Sequence, residues 1–238
     1  TMWDASTGRL VRRWRAGNAE IDAYAEDYAS LIWGLLELFQ VDPDPQWLTW
    51  AVALQHRQDG LFWDEAEGGW FGTSGHDPSV LVRMKEDYDG AEPSASSLSV
   101  QNLLTLTQLV DEPAWMRRVE QTLRLFGSRL EQMGRAVPMM AAALSTYHAG
   151  PMQVVVLGSD AAGPLAAEAR RLYLPGALVL TLDGETLGPL RSHVTALTAM
   201  TMPAHGACAH VCRQATCGLP LRTVDELRTA LDRHEGVS

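Results

Sequence analysis

Apolar positions between residues 20 and 40 recur at helical spacing. Ile21, Tyr24, Tyr28, Leu31, Ile32, Leu35 and Phe39 fall on one broad face of a predicted helix. Opposite them Ala23, Asp27, Ser30 and Gly34 form a small, polar stripe. Such a helix is either buried on one side while lining a wet cavity on the other, or packed closely against a neighbour through its small residues. After the turn VDPDP, a second helix is predicted from about Pro45, directing Trp47, Trp50, Ala51 and Leu54 inward. The pattern then repeats: LLELFQVDPDPQW (35–47) aligns without gaps on LLTLTQLVDEPAW (103–115). A helix, an acid-proline turn and a return helix opening with Trp, twice over, predict stacked helical hairpins. The acids and prolines at those turns cap and start the return helices, and carry no catalytic role. A further helix, rich in Ala and Met, is predicted over 135–148.

From Met152 the pattern changes. QVVVL (153–157) and ALVLTL (177–182) are short aliphatic and β-branched runs on either side of a helical stretch at 160–173, the arrangement of a βαβ unit with a parallel strand pair. A third strand is expected over 207–213 and an amphipathic helix over 224–233. The loop Gly158-Ser159-Asp160 has no GxGxxG or GKS pattern, so nucleotide binding has little support and no cofactor is expected.

Composition narrows the function classes. With 238 residues, 46% of them apolar, the chain has material for one domain or two small ones. Its 19 basic and 29 acidic residues give a net charge of −10, and no basic stripe with interleaved aromatics appears, which argues against nucleic-acid partners. Apolar runs fall far short of the ~20 residues that cross a bilayer, so no membrane partner is expected, nor does the start resemble a signal peptide. Three cysteines make no disulfide framework, and a cytoplasmic location with reduced thiols is the expectation.

Candidate chemistry concentrates in LVRMKEDYDGAEPSASS (81–97). Leu81, Arg83 and Lys85 alternate with Val82 and Met84, predicting a short strand or extended stretch that ends in the turn Asp87-Tyr88-Asp89-Gly90. Pro93 suits the first turn of the following helix, and the Ser94, Ser96 and Ser97 hydroxyls at its positive end offer donors to an anionic or polyhydroxylated ligand. The competing reading is a surface ion-pair network of Arg83, Lys85, Glu86 and Asp89. Between the two hairpins lies the irregular stretch 58–92, with its aromatic-flanked Gly68-Gly69 turn.

This segment resembles, nearly residue for residue, one in the thioredoxin-domain-containing proteins of the spermatogenesis-associated, thioredoxin-like type. The matching residues are Arg83, Lys85, Glu86, Asp89, Gly90, Ala91, Pro93, Ser94 and Ser97, then Asn102-Leu103-Leu104. EDYA (26–29), FWDEAEGGWF (62–71) and HVCRQATCGLPL (210–221) also match in order. Where that family has Gly then Asn, this chain has Ala95 and Ser96, so a contact made from position 96 does not carry over. The resemblance covers the C-terminal part of such proteins and implies a thioredoxin-like domain, in cis or in trans, as partner. It also implies a helical domain similar to N-acylglucosamine 2-epimerases and six-hairpin glycosidases. The fold class expected is therefore mainly α, a partial α/α toroid of helical hairpins over 1–150, followed by a small C-terminal α/β, βαβ-like unit over 151–238.

In such a toroid Asp27, the Asp64-Glu65 pair and the 83–97 segment share a mouth that takes a sugar or sugar-like metabolite. Asp27 with Asp89, or Asp64 in place of either, are candidate carboxylates for glycoside hydrolysis. For epimerisation Lys85, near Glu86 and Asp89 in sequence, is the candidate base, with His56 or His148 as substitutes. Arg83, Gly90, Pro93, Ser94 and Asn102 are candidate ligand contacts. The alternative is a noncatalytic scaffold or binding module for the thioredoxin-like domain. His205, Cys208, His210, Cys212 and Cys217 invite a zinc reading, but strand alternation spaces such ligands ~6 to 7 Å apart, awkward for one ion, and no metal is expected. Cys212 and Cys217 match family cysteines and are the candidate redox pair. No GxSxG elbow supports serine chemistry.

Overall fold

The computed structural model describes residues 2–4, 6–213 and 216–232. The end of the last expected helix, at 233, lies outside the described residues. The chain forms two compact units. One comprises residues 1–36, 46–104 and 112–145, the other 37–45, 105–111 and 146–238. Among the described residues about half are helical, and the strands form two small sheets. Among the described residues no helix is long and apolar enough to cross a membrane.

The first unit opens with a two-stranded antiparallel ribbon, β1 (Trp3–Asp4) and β2 (Arg9–Leu10). Helices α1 (Ala25–Val41) and α2 (Pro45–Phe62) follow as the first hairpin, and α3 (Ala95–Leu106) and α4 (Pro113–Leu125) as the second. The repeat in the sequence is thus a repeat of structure. In the second copy the acid-proline start acts as the pattern requires: Glu112 is the N-cap, accepting from Ala114 N at 3.2 Å, and Pro113 opens the helix. Trp115 is fully buried, whereas in the first copy Trp47 is half-buried and Leu48 takes the inward position. Trp50 too is half-buried, while Ala51 and Leu54 are buried as expected.

α1 begins at Ala25, later than the apolar period suggests. Residues 21–23 are drawn instead into pairing beside β2, with Arg12 N donating to Ile21 O at 2.9 Å and Ala23 N to Leu10 O at 3.0 Å. Ile21 and Tyr24 are exposed as a result, and the buried face is Ala25, Tyr28, Ala29, Ile32, Leu35 and Phe39. The unit continues through α5 (Gly127–Met133) and a 3-10 turn at Gly134–Ala136 into α6 (Pro138–Ala149), whose last residues belong to the second unit.

The second unit carries a four-stranded sheet in the order β4-β3-β5-β6. β3 (Met152–Leu157) and β4 (Ala177–Leu182) are the expected parallel pair, joined through α7 (Gly163–Arg171). After α8 (Gly184–Leu190), β5 (Cys208–Arg213) returns antiparallel to β3, and β6 (Thr216–Cys217) pairs antiparallel to β5. The central strand has Val154, Val155, Val156 and Leu157 fully buried, the unbroken apolar run of a strand covered on both faces. Leu165 and Ala169 of α7 with Leu227 and Leu231 of α9 (Val224–Asp232) pack against Val154, Val156, Ala209 and Val211. Both glutamines of the sequence repeat serve this unit: Gln40 Oε1 accepts from Val179 N at 3.0 Å, and Gln108 O accepts from Gln153 Nε2 at 2.6 Å.

Candidate functional site

The site in the first unit grows from a buried carboxylate. On α2, Asp59 follows Gln55 by one helical turn on the same inward face as Ala51 and Phe62. Its Oδ1 accepts from Gln55 Nε2 at 2.9 Å and Trp70 Nε1 at 3.0 Å, and its Oδ2 from Trp115 Nε1 at 3.2 Å and from the Arg118 guanidinium. Burial pushes the Asp59 carboxyl up, opposed first by Arg118. Beside it Gln58 Nε2 donates to Ala25 O at 3.0 Å and Ser99 Oγ at 2.9 Å, linking three helices. By gripping both indoles, Asp59 ties the second hairpin and the turn at Trp70 to α2.

Trp70 ends a tight turn. Trp63 and Trp70 bridge as an antiparallel pair with rings 4.8 Å apart, Asp64 N donates to Gly69 O at 3.0 Å and Phe71 N to Phe62 O at 2.9 Å. Gly69 has φ +76°, a conformation that favours glycine, and a Cβ there would press on Leu125 Cδ2 at 3.0 Å. The turn delivers Asp64, Glu67 and Phe71. Asp64 accepts from Ala66 N at 2.9 Å and receives Lys85 Nζ at 2.6 Å, and Glu67 lies 3.3 Å from the same ammonium. Lys85, first through its hydrogen bond, holds the Asp64 carboxyl below the ordinary range.

Phe71 is the platform. Arg83 lies 4.2 Å and Lys85 5.1 Å from its ring centroid. Arg83 donates to Thr73 O and Leu61 O, both at 2.9 Å, which fixes the fork against backbone. Arg129 pairs with the Asp87 carboxylate and donates to Asp87 O at 3.1 Å. Together Glu67, Phe71, Arg83, Lys85, Asp87 and Arg129, with Leu125, Phe126, Ser128, Gln132 and Met133, line a cavity of ≈ 560 Å³.

Of the two forms expected for 81–85, the strand does not form. Gly72 N donates to Met84 O at 2.8 Å, and the side chains of Arg83 and Lys85 turn inward to carbonyls, carboxylates and Phe71. Leu81, Val82, Met84 and Tyr88 are exposed in exchange, Leu81 at 94%. Nor is Asp87-Tyr88-Asp89-Gly90 the turn; the chain bends at Ala91 and Glu92, with Gly90 N donating to Glu92 O at 3.0 Å.

Asp89 is a buried cap. Its Oδ1 accepts from Ser94 N at 2.9 Å ahead of α3, and its Oδ2 from Met139 N at 2.9 Å and Met140 N at 3.4 Å at the start of α6. One carboxylate satisfies two helix N-termini. Ser94, Ser96 and Ser97 are buried and engaged within the protein: Ser94 Oγ donates to Ser97 Oγ at 2.9 Å, and Ser96 Oγ accepts from Trp70 N at 3.1 Å. Their hydroxyls lie inside the protein and line neither cavity described in this unit, rather than standing open at the helix start. Asn102, also buried, donates to Ala29 O at 2.9 Å, and Gly90 and Pro93 line neither cavity described in this unit. Glu86 is exposed and also lines neither cavity.

Asp27 lies elsewhere. It accepts from Tyr24 N at 2.8 Å, pairs with Arg12 at 3.2 Å, and with Glu26, Ser30, Leu31, Leu35, Trp3 and Trp50 lines a second cavity of ≈ 580 Å³. Burial raises its carboxyl. The single mouth expected for Asp27, Asp64 and 83–97 is therefore divided: Asp27 lines this cavity, Arg83, Lys85 and Asp87 the other, and Asp64 lines neither, touching the latter through Lys85. His56 is exposed and packs on Trp115 with centroids 5.2 Å apart; His148, also exposed, meets Tyr147 edge-on.

In the second unit the expected reduced thiols are bonded: Cys212 and Cys217 form a disulfide, because the β5–β6 register sets them directly opposite, Cα atoms 3.9 Å apart. Cys208 is a free, buried thiol, raised by burial. Among the described residues no group of three or more His, Cys, Asp or Glu could hold a metal ion.

Asp59, Arg118, Phe71, Arg129 and Gln132 were not singled out by the sequence patterns. The one available signal was Asp59 itself, an acid in phase with Ala51, Gln55 and Phe62 on a buried helix face.

No family model matches the chain. An uncharacterised protein of Caenorhabditis elegans is 32% identical over 91% of the chain, which spans 30% of that protein. Over 97% of its length the chain is 33% identical to spermatogenesis-associated protein 20 of Homo sapiens and of Rattus norvegicus, and it spans 31% of the length of each.

Proposed function

We propose that the helical-hairpin unit binds a sugar-like metabolite carrying an anionic group, such as a sugar acid or sugar phosphate, in the ≈ 560 Å³ cavity around Phe71. One observation carries the reading: three cations, Arg83, Lys85 and Arg129, and two carboxylates, Glu67 and Asp87, line one cavity with Phe71, over whose ring Arg83 and Lys85 lie. A cavity of this size with few, fixed polar groups suits a small metabolite. Arg83 and Lys85 are held in advance by carbonyls, carboxylates and the ring, so little side-chain ordering opposes binding. Hydroxyls would meet Glu67, Asp87, Ser128 and Gln132, and the anionic group the cations. Asp64, kept ionised by Lys85, is a charge anchor rather than a proton donor. The proposal extends to an α/α toroid built of the hairpins, to isomerisation or hydrolysis of the bound sugar, and to a cytoplasmic location. Calorimetric titration with a uronic acid, a hexose phosphate and a neutral hexose tests it: the anionic sugars bind and the neutral one binds at least ~10-fold more weakly, a difference of about 1.4 kcal/mol. No heat from any of the three refutes it, and NMR of a bound sugar reports whether it is turned over.

A second reading has its own support. Leu81, Val82, Met84 and Tyr88 are exposed along one extended stretch, a surface suited to a protein partner, including a thioredoxin-like domain. Co-purification of separately expressed pieces tests it, and loss of association in Leu81→Asp/Met84→Asp is the expected result.

A further inference from the structure

We propose that the Cys212–Cys217 bridge is a two-electron thiol–disulfide exchange site, opened by a dithiol that attacks Cys217. The inference is independent of the sugar-binding reading and concerns the other unit. The two sulfurs differ in access: Cys212 is buried at 3% exposure in β5, whereas Cys217 is exposed in β6. They also line a cavity of ≈ 580 Å³ with Val110, Asp111, Pro151, Gln153 and Thr198, which gives an incoming thiolate room beside the bond. Attack falls on the accessible sulfur, and an exposed bridge belongs to the labile class rather than the structural one. Leu219, 86% exposed two residues beyond Cys217, offers apolar contact to a dithiol-bearing protein.

The third cysteine does not compete. Cys208 is buried, its thiol pKa is raised, and its Sγ lies 3.8 Å from His210 Nε2, four residues and roughly 13 Å along the strand from Cys212.

The exchange balances as follows. A thiolate of the dithiol bonds to Cys217 Sγ, the Cys212–Cys217 bond breaks, and Cys212 leaves as a thiolate that takes a proton from water. The second thiol of the reagent, deprotonated, attacks the mixed disulfide and releases the Cys217 thiolate, which is protonated in turn. The bridge gains two electrons and two protons, and the dithiol becomes its own disulfide. Among the described residues β6 pairs with β5 at Cys212↔Cys217 and Arg213↔Thr216, so after reduction this short strand is held by that backbone pairing and by the Gly218 N to Val211 O bond, without its covalent tie.

The test is a redox titration of the native chain in dithiothreitol and its oxidised form, with alkylation by iodoacetamide and peptide mass mapping. The expected result is one two-electron transition confined to Cys212 and Cys217, complete while the circular dichroism spectrum and melting transition persist, with Cys208 unmodified. Single variants then assign the attacked sulfur: in Cys212→Ser the Cys217 thiol alkylates at least ~10-fold faster than the Cys212 thiol does in Cys217→Ser, following access. Reduction only in denaturant would make the bridge a structural staple and overturn the proposal. Equal alkylation rates would overturn the assignment of Cys217. Should either variant fold poorly, the wild-type titration decides alone. Parallel titration with a protein dithiol in place of dithiothreitol separates the sources: faster reduction by the protein at equal potential identifies a protein partner.

Discussion

Replacing Asp59 with Ala removes the acceptor of four donors at once. Gln55 Nε2 keeps Gln58 Oε1 as a partner at 3.0 Å, but the Trp70 and Trp115 indole N–H groups lose their acceptor in a dry interior. Each stranded donor costs about 1–3 kcal/mol. Arg118 loses its buried partner, a break that costs roughly 3–5 kcal/mol when both charges are enclosed. Here the Arg118 side chain is 20% exposed and can turn toward water, so that term falls at the low end. Relief of the desolvated carboxylate offsets part of the sum. The net expectation is about 4 kcal/mol, a large part of the ~5–15 kcal/mol that holds a domain together. Asp59→Asn keeps one oxygen but aims an amide N–H at a donor, and is expected to cost about 2–3 kcal/mol. Urea unfolding followed by tryptophan fluorescence reads both. The midpoint should fall while the slope stays constant, and a cycle with Arg118→Ala should show coupling of at least ~1 kcal/mol. A loss below ~1 kcal/mol for Asp59→Ala would refute the claim that this carboxylate organises the unit.

Asp89→Ala strips the cap from both α3 and α6, so about 2–4 kcal/mol of stability should be lost in urea unfolding, whereas a residue serving only a ligand would leave the midpoint unchanged. Glu168 is held at about 2 by Arg171 and Arg228. Because its folded value is depressed, its stabilising contribution is complete above the ordinary value of 4.5 and disappears as pH falls toward about 2. The melting-temperature gap between wild type and Glu168→Gln should therefore close over that window, and a gap constant with pH would contradict the ion-pair assignment.

Much of the fold was legible because it is periodic. The 35–47 and 103–115 match announced the two hairpins, and the aliphatic runs at 153–157 and 177–182 announced the parallel pair. The start of α1 was misplaced because pairing beside β2 outcompeted helix at 21–23, a tertiary preference that the helical period cannot register. In the 81–97 segment the local pattern did not reveal where the charges turn. Alternation there suggested a strand, while Arg83 and Lys85 turn inward because Phe71, Asp64 and two carbonyls await them from segments distant in the chain. Asp89 and the serines looked available for a ligand since nothing in the local sequence tells that the start of α6 lies within reach. Cys212 and Cys217 were named as a pair but expected reduced, because five residues of spacing do not reveal the register that sets them directly opposite.

The central claim is that Phe71, Arg83, Lys85 and Arg129 form a binding site. Arg129 is the residue to remove, since its partner Asp87 is exposed and its loss should leave the fold intact. Titration calorimetry of a uronic acid or hexose phosphate into wild type and Arg129→Ala is the direct test. The account predicts binding to wild type and at least a ~10-fold weaker affinity in the variant, about 1.4 kcal/mol, at an unchanged melting temperature. Equal affinity in both proteins, or a ligand that protects only residues around Asp27 in hydrogen exchange, would contradict it.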